Sequence, residues 1–303
     1  MSTRLVKREV YTANQLTGLA TRCDWFICGS CFVNITNTDF PDFIFLSAYR
    51  GCGSIKHFVT YLPKLTNPFK LIIASEDCTF PNNIGDLRSK PYKGCQLEIE
   101  QMLSSPLLIH CFVENLDEPH SPRMSPIPLG LLNSTYKVNI RAHPIDLDSK
   151  PLLCLCVHRN HDGYRAPQWT DRIKAMELSK HEWSDFVEYV DANLTHTAHF
   201  QKISQAKFCL CIHGGGYDPC PRFFECILAG TIPIIQHSPL DAVFQRFPVV
   251  YIGDLSDDSL SESFLLERLE ELRPFYEDQE KRAEVLRMLT MDYWWNFINR
   301  IFV

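Results

Sequence analysis

The chain of 303 residues is long enough for about two domains. Hydrophobic residues make up 45% and charged residues 22%, the balance of an ordinary globular protein. A net charge of −6 argues against a nucleic-acid binder, which would need a basic surface. No run of eighteen apolar residues occurs, and the start MSTRLVKREVYTANQLTG lacks the apolar centre of a signal peptide. The expectation is a soluble, unsecreted protein with no transmembrane segment. Thirteen cysteines, an odd count, include two i, i+2 pairs, Cys154/Cys156 and Cys209/Cys211, inside predicted strands. Each pair faces one way along its strand and suits a small buried apolar position. Cys28 and Cys31 form one C-x-x-C without a partner pair, so no zinc framework is expected. The thiols are read as mostly free, in a reducing, cytoplasmic setting. Three sequons, at Asn34, Asn133 and Asn193, would then go unused.

In chain order, Asp24 to Phe32 and Phe43 to Tyr49 are apolar runs fit for buried strands. Gly51 and Gly53 lead to a short helix around Ile55 to Leu62, and Phe69 to Ala74 is a third strand ending in Ser75-Glu76-Asp77. Leu97 to Leu103 reads as a helix, Leu107 to Phe112 as a strand, and Ile127 to Gly130 as a short extended piece. Between Asn133 and Lys150 the pattern lapses into Pro-, Asp- and Ser-containing sequence. The domain boundary is placed there, giving domains of 1–145 and 146–303.

A second alternation begins with the strand Leu152 to Val157 and the loop His158 to Arg165, then a helix over Pro167 to Leu178. Trp183 to Val190 is ambiguous, and Thr195 to Ala206 reads as a helix. The most informative stretch follows, KFCLCIHGGGYDPCPRFFECILAGTIPII, Lys207 to Ile235. It predicts a strand Phe208 to Ile212, a glycine loop, a helix opened by proline and capped by Gly230, and a strand Thr231 to Gln236. Val249 to Ile252 is a late strand. Helices over Leu260 to Leu272, capped by Ser259, and Gln279 to about Phe297 close the chain. Alternation of this kind predicts an α/β protein with parallel sheets and helices on their faces.

The loop between strand and helix has the chemistry of a diphosphate site. Gly214, Gly215 and Gly216 let the backbone approach a ligand, and the helix start turns unpaired amides toward it. Arg222 and Glu225 share a helix face, one able to fork phosphate oxygens and the other to accept from ribose hydroxyls. An Arg–Glu pair on a surface helix has the same spacing. The loop is neither GxGxxG nor a P-loop, which disfavours a dinucleotide oxidoreductase and a kinase.

Phe208-Cys-Leu-Cys211, Gly214 to Gly216, Arg222, Glu225 and Ala229-Gly-Thr-Ile-Pro233 together resemble the exostosin-like glycosyltransferases. The resemblance covers about the last half of the chain well and the first half loosely, and His213-Gly214 stands where many members have Pro-x-Gly. It implies a GT-B fold: two Rossmann-like domains facing a cleft, with the last helix, bearing Tyr293-Trp-Trp-Asn-Phe297, crossing back to the first. In size the chain is similar to the short soluble versions encoded by large algal viruses, some of which transfer xylose. The setting would then be a host cytoplasm.

The resemblance further implies a nucleotide-sugar donor on the second domain, with Glu225 on the ribose and Arg222 and the loop on the diphosphate. A glycan acceptor would meet its base from the first domain. Asp77, at the carboxyl end of a predicted strand, is the preferred base over its neighbour Glu76. Asp77 is equally a cap for the following turn. Arg159 and Arg165, in the loop after the first strand of domain two, and the amides after Gly216 are candidates for the leaving-group charge. His213 is a candidate partner of the donor sugar or a phosphate, and Tyr217 a border of the base. Asp146-Leu-Asp148 lies in the interdomain segment rather than at a strand end, and Asp257-Asp258 heads a helix. No metal or other cofactor is therefore expected. Pro233 stands eight positions after Glu225, where the retaining pattern has a second glutamate, so the expected reaction is an inverting, metal-independent transfer from a UDP-sugar. The alternative is a non-catalytic nucleotide-sugar or glycan-binding module.

Overall fold

The computed structural model describes residues 7–8, 18–75, 77–84, 92–119, 121–131, 136–141, 143–158, 169–191 and 193–300. Within them the chain forms two compact α/β units. The first holds the described residues of Tyr11–Ser134, Gly215–Asp218 and Met291–Val303; the second holds those of Thr135–Gly214 and Pro219–Thr290. The chain passes between units at 134/135, ahead of the position near 145 read from composition. The reason is local pairing: the strand Lys7–Arg8 (β1) runs antiparallel to Val138–Asn139, which attaches both segments to the second unit.

The first unit is a six-stranded sheet. Trp25–Cys28 (β2) and Cys31–Asn34 (β3) form a hairpin in which Cys28 lies opposite Cys31. One buried strand was expected over Asp24 to Phe32; instead Gly29, at φ 58°, turns the chain and sends β3 to a half-exposed edge. Phe43–Ser47 (β4), Cys52–Val59 (α1), Phe69–Ala74 (β5), Gln96–Leu103 (α2), Leu108–Val113 (β6) and Met124–Pro126 (β7) follow. The short extended piece thus forms a few residues before Ile127 to Gly130. The order is β3-β2-β4-β5-β6-β7, parallel except for β3. All six β5 residues are buried, as a strand covered on both faces requires. Eleven of the thirteen cysteines are free, and Cys52 and Cys95 are joined as a disulfide.

The second unit has Val138–Asn139 (β8), Leu152–Cys156 (β9), Thr170–Lys180 (α3), Val187–Tyr189 (β10), His196–Ser204 (α4), Ala206–Leu210 (β11), Pro221–Ala229 (α5), Ile232–Gln236 (β12), Asp241–Phe244 (α6), Val250–Ile252 (β13), Glu262–Leu272 (α7), Pro274–Glu277 (α8) and Gln279–Arg287 (α9). Its sheet is wholly parallel in the order β10-β9-β11-β12-β13. The strand order reverses at β9, with β10 on one side and β11 on the other. In open α/β sheets such a reversal opens a crevice at the strands' carboxyl ends. One sheet face packs Cys154, Phe208, Leu210 and Ile234 against Ala175 and Leu265. The cap of α7 is Ser261, whose hydroxyl accepts from the Phe264 amide at 3.2 Å, and not Ser259, which closes a turn with Ser256.

The single helix expected over Gln279 to Phe297 is two. After α9 the chain turns at 288–290, where Thr290 Oγ1 donates to the Arg287 carbonyl at 2.6 Å, and Met291–Arg300 (α10) packs in the first unit. There the Trp295 ring lies 4.7 Å from that of Phe43, and buried Lys70 donates from Nζ to the carbonyls of Ile298 and Asn299, each at 3.0 Å. A cation on the last carbonyls of a helix satisfies orphan acceptors and the negative end of the helix dipole.

Gly230 ends α5 at φ 71°, and a Cβ there would stand 2.5 Å from the Ile145 side chain. Gly230→Ala is therefore expected to cost at least about 1–2 kcal/mol in urea unfolding for the left-handed backbone alone. Adding Ile145→Ala should recover only the steric excess.

Candidate functional site

At the reversal of the second sheet, β9 ends in Val157 and His158, and β11 runs on through Cys211 and Ile212 to His213. Arg222, in the first turn of α5, reaches back to the end of β9. Its Nη1 donates to His158 Nδ1 at 2.8 Å and its Nη2 to the Val157 carbonyl at 3.2 Å. The guanidinium thereby ties α5 to the neighbouring strand, and its Nε is buried without a hydrogen-bond partner. Because Nδ1 of His158 accepts, its proton sits on Nε2, which is buried and also without a partner. His158 is only 3% exposed. Burial, and then Arg222, Arg172, His199 and His213 around it, hold its pKa well below the ordinary histidine value.

Arg172, in the first turn of α3, joins this group. Its Nη2 donates to the Ile212 carbonyl at 3.2 Å and to Cys220 Sγ at 2.7 Å, and its guanidinium lies 4.7 Å from the centre of the Trp169 ring. Cys220 precedes α5 at φ 72°, ψ 166°, a conformation that glycine alone adopts without strain. His213 Nε2 stands 3.8 Å from Asp171 Oδ2, and burial outweighs that carboxylate and lowers the histidine pKa, so His213 is neutral at neutral pH. The reversal therefore gathers two arginines and three histidines, His158, His199 and His213, around one point.

Glu225, a turn beyond Arg222, is 7% exposed and faces α4. Its Oε1 accepts from Tyr136 Oη at 3.1 Å and lies 3.2 Å from His196 Nε2, and its Oε2 lies 3.5 Å from His199 Nδ1. Burial works to raise its pKa, but hydrogen bonds from His199 and Tyr136 and the charge of the two histidines hold it below the usual carboxylate range. Burial and Glu225 in turn push the Tyr136 phenol up, keeping it a donor. Ribose hydroxyls would meet a carboxylate already engaged on both oxygens, and the half-exposed His196 is the partner they could displace.

The glycines are placed differently from their reading as a ligand cradle. All three are buried, and protein groups fill the space beside two of them. A Cβ on Gly214 would meet Arg172 Nη2 at 2.7 Å, and one on Gly216 would collide with the Asp77 carbonyl and the Asn115 side chain. The amides after Gly216, expected to face a leaving group, are taken by Asn115 instead: its Oδ1 accepts from Tyr217 at 3.2 Å and Asp218 at 3.1 Å. Tyr217 is partly buried, and burial followed by Asp117 raises its phenol pKa. These contacts lie within the first unit, to which 215–218 belong.

Asp77 follows β5 in the same unit and is exposed. The turn that carries it starts at Ser75, at φ 78°, whose amide donates to buried Glu114 Oε2 at 2.7 Å. Glu76, Arg159 and Arg165 lie outside the described residues. Asp146 and Asp148 form a turn in which the Asp148 carboxylate accepts both Arg273 Nη groups at 3.2 Å. Sequence reasoning missed Arg172, Tyr136, His196 and His199 as functional residues and passed over His158 within a loop. His196 and His199 carry a signal, at i, i+3 on one predicted helix face, but their partner Glu225 is remote in sequence.

No family model matches the chain, and no curated protein matches it. Solved structures of similar fold include an α-glucosyltransferase in complex with UDP and a 13-mer DNA, at 10% identity over 86% of this chain and 80% of that one, with a TM-score of 0.43. A sucrose-phosphate synthase from Thermosynechococcus elongatus matches at 12% identity, 86% and 73% coverage and a TM-score of 0.43. An α1,3-fucosyltransferase matches at 14% identity, 88% and 78% coverage and a TM-score of 0.40.

The depressed pKa of Glu225 has a consequence for acid stability. Its contribution is fully present above the unfolded-state value of about 4.3 and is lost as pH falls through the lower folded-state value. Urea midpoints measured from pH 6 down to pH 3 should therefore fall less steeply below about pH 4.3 in Glu225→Gln than in the wild type. Parallel profiles would show that the carboxylate draws no net stabilisation from its neighbours.

Proposed function

We propose that the chain is a glycosyltransferase taking its sugar from a nucleotide-sugar donor held by the second unit. The observation that supports this above all is the group of Arg222, Arg172, His158, His199 and His213 at the reversal of the parallel sheet. A nucleoside diphosphate brings negative charge to that point and more as its bond to the sugar breaks. The guanidinium groups and the Nε2–H of His158 are of the right sign and donor type to meet that charge. Glu225 at the next helical turn suits a ribose, which distinguishes a nucleotide from a simple phosphate ester. The reading departs from a glycine-loop cradle, since side chains take the part first given to loop amides.

The finer reading keeps UDP as the nucleotide and an enzyme of exostosin-like type, with xylose one candidate sugar and a glycan hydroxyl as acceptor. Asp77, exposed on the first unit, is the base that takes the acceptor proton. A single base suffices for direct displacement with inversion. His213, neutral, hydrogen-bonds the donor sugar or a phosphate, and Tyr217 borders the nucleobase of the donor. The arginines supply the charge that a cation supplies elsewhere, so no metal is required.

A thermal-shift panel of UDP, GDP, ADP and several UDP-sugars, with and without Mn²⁺, tests the donor half. Ligand at about a hundred times Kd adds roughly 2.7 kcal/mol of stability. A shift with UDP that is unchanged by Mn²⁺ and lost in Glu225→Ala is expected, while no shift with any nucleotide overturns the reading. Asp77→Asn should keep the UDP shift and lower turnover about 10²- to 10⁴-fold. Full turnover in that variant would remove Asp77 from the mechanism. UDP binding without transfer to any acceptor would leave a binding module.

A further inference from the structure

Three cysteines meet on the opposite face of the second sheet from the main apolar cluster. Cys209 and Cys211 project from β11 and its extension toward α5, and Cys226 projects from α5 toward them. Their sulfur atoms all lie within 4.8 Å of one another, with Cys211 Sγ and Cys226 Sγ 3.8 Å apart. Each residue is 0% exposed. A cation equidistant from three thiolates at roughly 2.3 Å needs sulfurs about 4 Å apart in a trigonal plane. The Cys211–Cys226 pair is at that spacing, and the third sulfur is within 4.8 Å of both.

Positive charge stands beside the trio, where the Arg222 guanidinium interacts electrostatically with all three sulfurs. Lys150, buried beside this face, donates from Nζ to the carbonyls of Ser204 and Ala229 and to Thr231 Oγ1, and it feels the charge of Cys226. Three thiolates with one monovalent cation carry a charge of −2, which Arg222 and Lys150 offset. Among the described residues no fourth histidine, cysteine or carboxylate joins the group. That disfavours zinc, which takes four ligands in structural sites, and favours a soft cation content with three sulfurs.

We propose that Cys209, Cys211 and Cys226 form a three-coordinate thiolate site for a soft monovalent cation, copper(I). The ion would bind as each thiol gives up its proton to solvent, with no change of oxidation state. Since no sulfur is exposed, loading accompanies folding and fastens β11 to α5. The inference goes beyond the donor site, with which it shares only the charge of Arg222.

The test uses the full chain in a Cys28→Ser/Cys31→Ser background, which removes the accessible hairpin pair. Protein expressed with copper supplementation is purified without oxygen, challenged with a copper(I) chelator and assayed for metal. About one copper per chain is expected, with sulfur as the only neighbour in X-ray absorption. Cys226→Ser should lower retained copper at least tenfold, and Cys154→Ser, on the other face, should leave it unchanged. Circular dichroism establishes that each variant is folded, and Cys226→Ala, isosteric with a common helix residue, replaces Cys226→Ser if that variant fails to fold. Copper far below one per chain, or retention unaffected at Cys226, overturns the proposal and leaves the trio as packed thiols.

Discussion

The second unit depends on one side chain crossing between two elements. Arg222 leaves the first turn of α5 and binds the end of β9 through His158 and the Val157 carbonyl. In a parallel sheet adjacent strands are joined by ladder hydrogen bonds, but their extensions past the carboxyl edge have no such bonds. Beside the reversal at β9 the crevice would otherwise be free to widen. A planar guanidinium with donors in a fixed fork holds both sides at one separation, which a lysine could not do. The same contact selects the His158 tautomer and so determines which histidine atom is offered as a donor. The buried Nε2–H is costly without a partner, by about 1–3 kcal/mol. A group kept in that condition is complementary to an acceptor that arrives with a ligand.

Around this tie the charges are arranged in layers. Arg172 and Arg222 make the reversal positive, while Asp171 and Glu225 are set at its margin, each against a histidine. Burial keeps His158 and His213 from protonating, so the permanent positive charge is that of the arginines. A site that bound a diphosphate through protonated histidines would weaken as pH rose through neutrality. One that relies on arginine and neutral N–H donors does not. Glu225 follows the opposite logic. Its carboxylate stays ionised despite burial because donors from α4 and Tyr136 converge on it, which also fixes the rotamer it presents to any hydroxyl.

Much of this fold was legible because parallel sheets are written plainly in sequence. β5 was readable to the residue, as an apolar run broken only by Lys70 and placed between Pro68 and Ser75, and α5 was bounded by Pro221 and Gly230, whose backbone roles are local. What was misread is what local pattern cannot hold. The hairpin at Gly29 looks like one strand because both halves are apolar. The break after Arg287 has neither glycine nor proline, and it exists because α10 finds its partners, Phe43 and Lys70, more than two hundred residues away. In the site, Arg222 and Glu225 were visible from their spacing and from a family resemblance. Arg172, His158 and Tyr136 were not, since their significance arises only when α3, β9 and α5 converge.

The glycines show most clearly why a motif and its physical cause can part company. Three in a row suggested a backbone held open for a ligand. Gly214 instead makes room for the Arg172 guanidinium, and Gly216 for the Asp77 backbone and Asn115. The absent Cβ still serves the site, but at one remove: it admits the arginine that carries the charge, rather than the phosphate itself. Residues at such positions tolerate alanine no better than a true ligand cradle would, so intolerance to substitution cannot tell the two apart. The distinction lies in what fills the space. Here it is protein, and under the proposed function the electrostatic role passes from backbone amides to the side chains that the glycines let in.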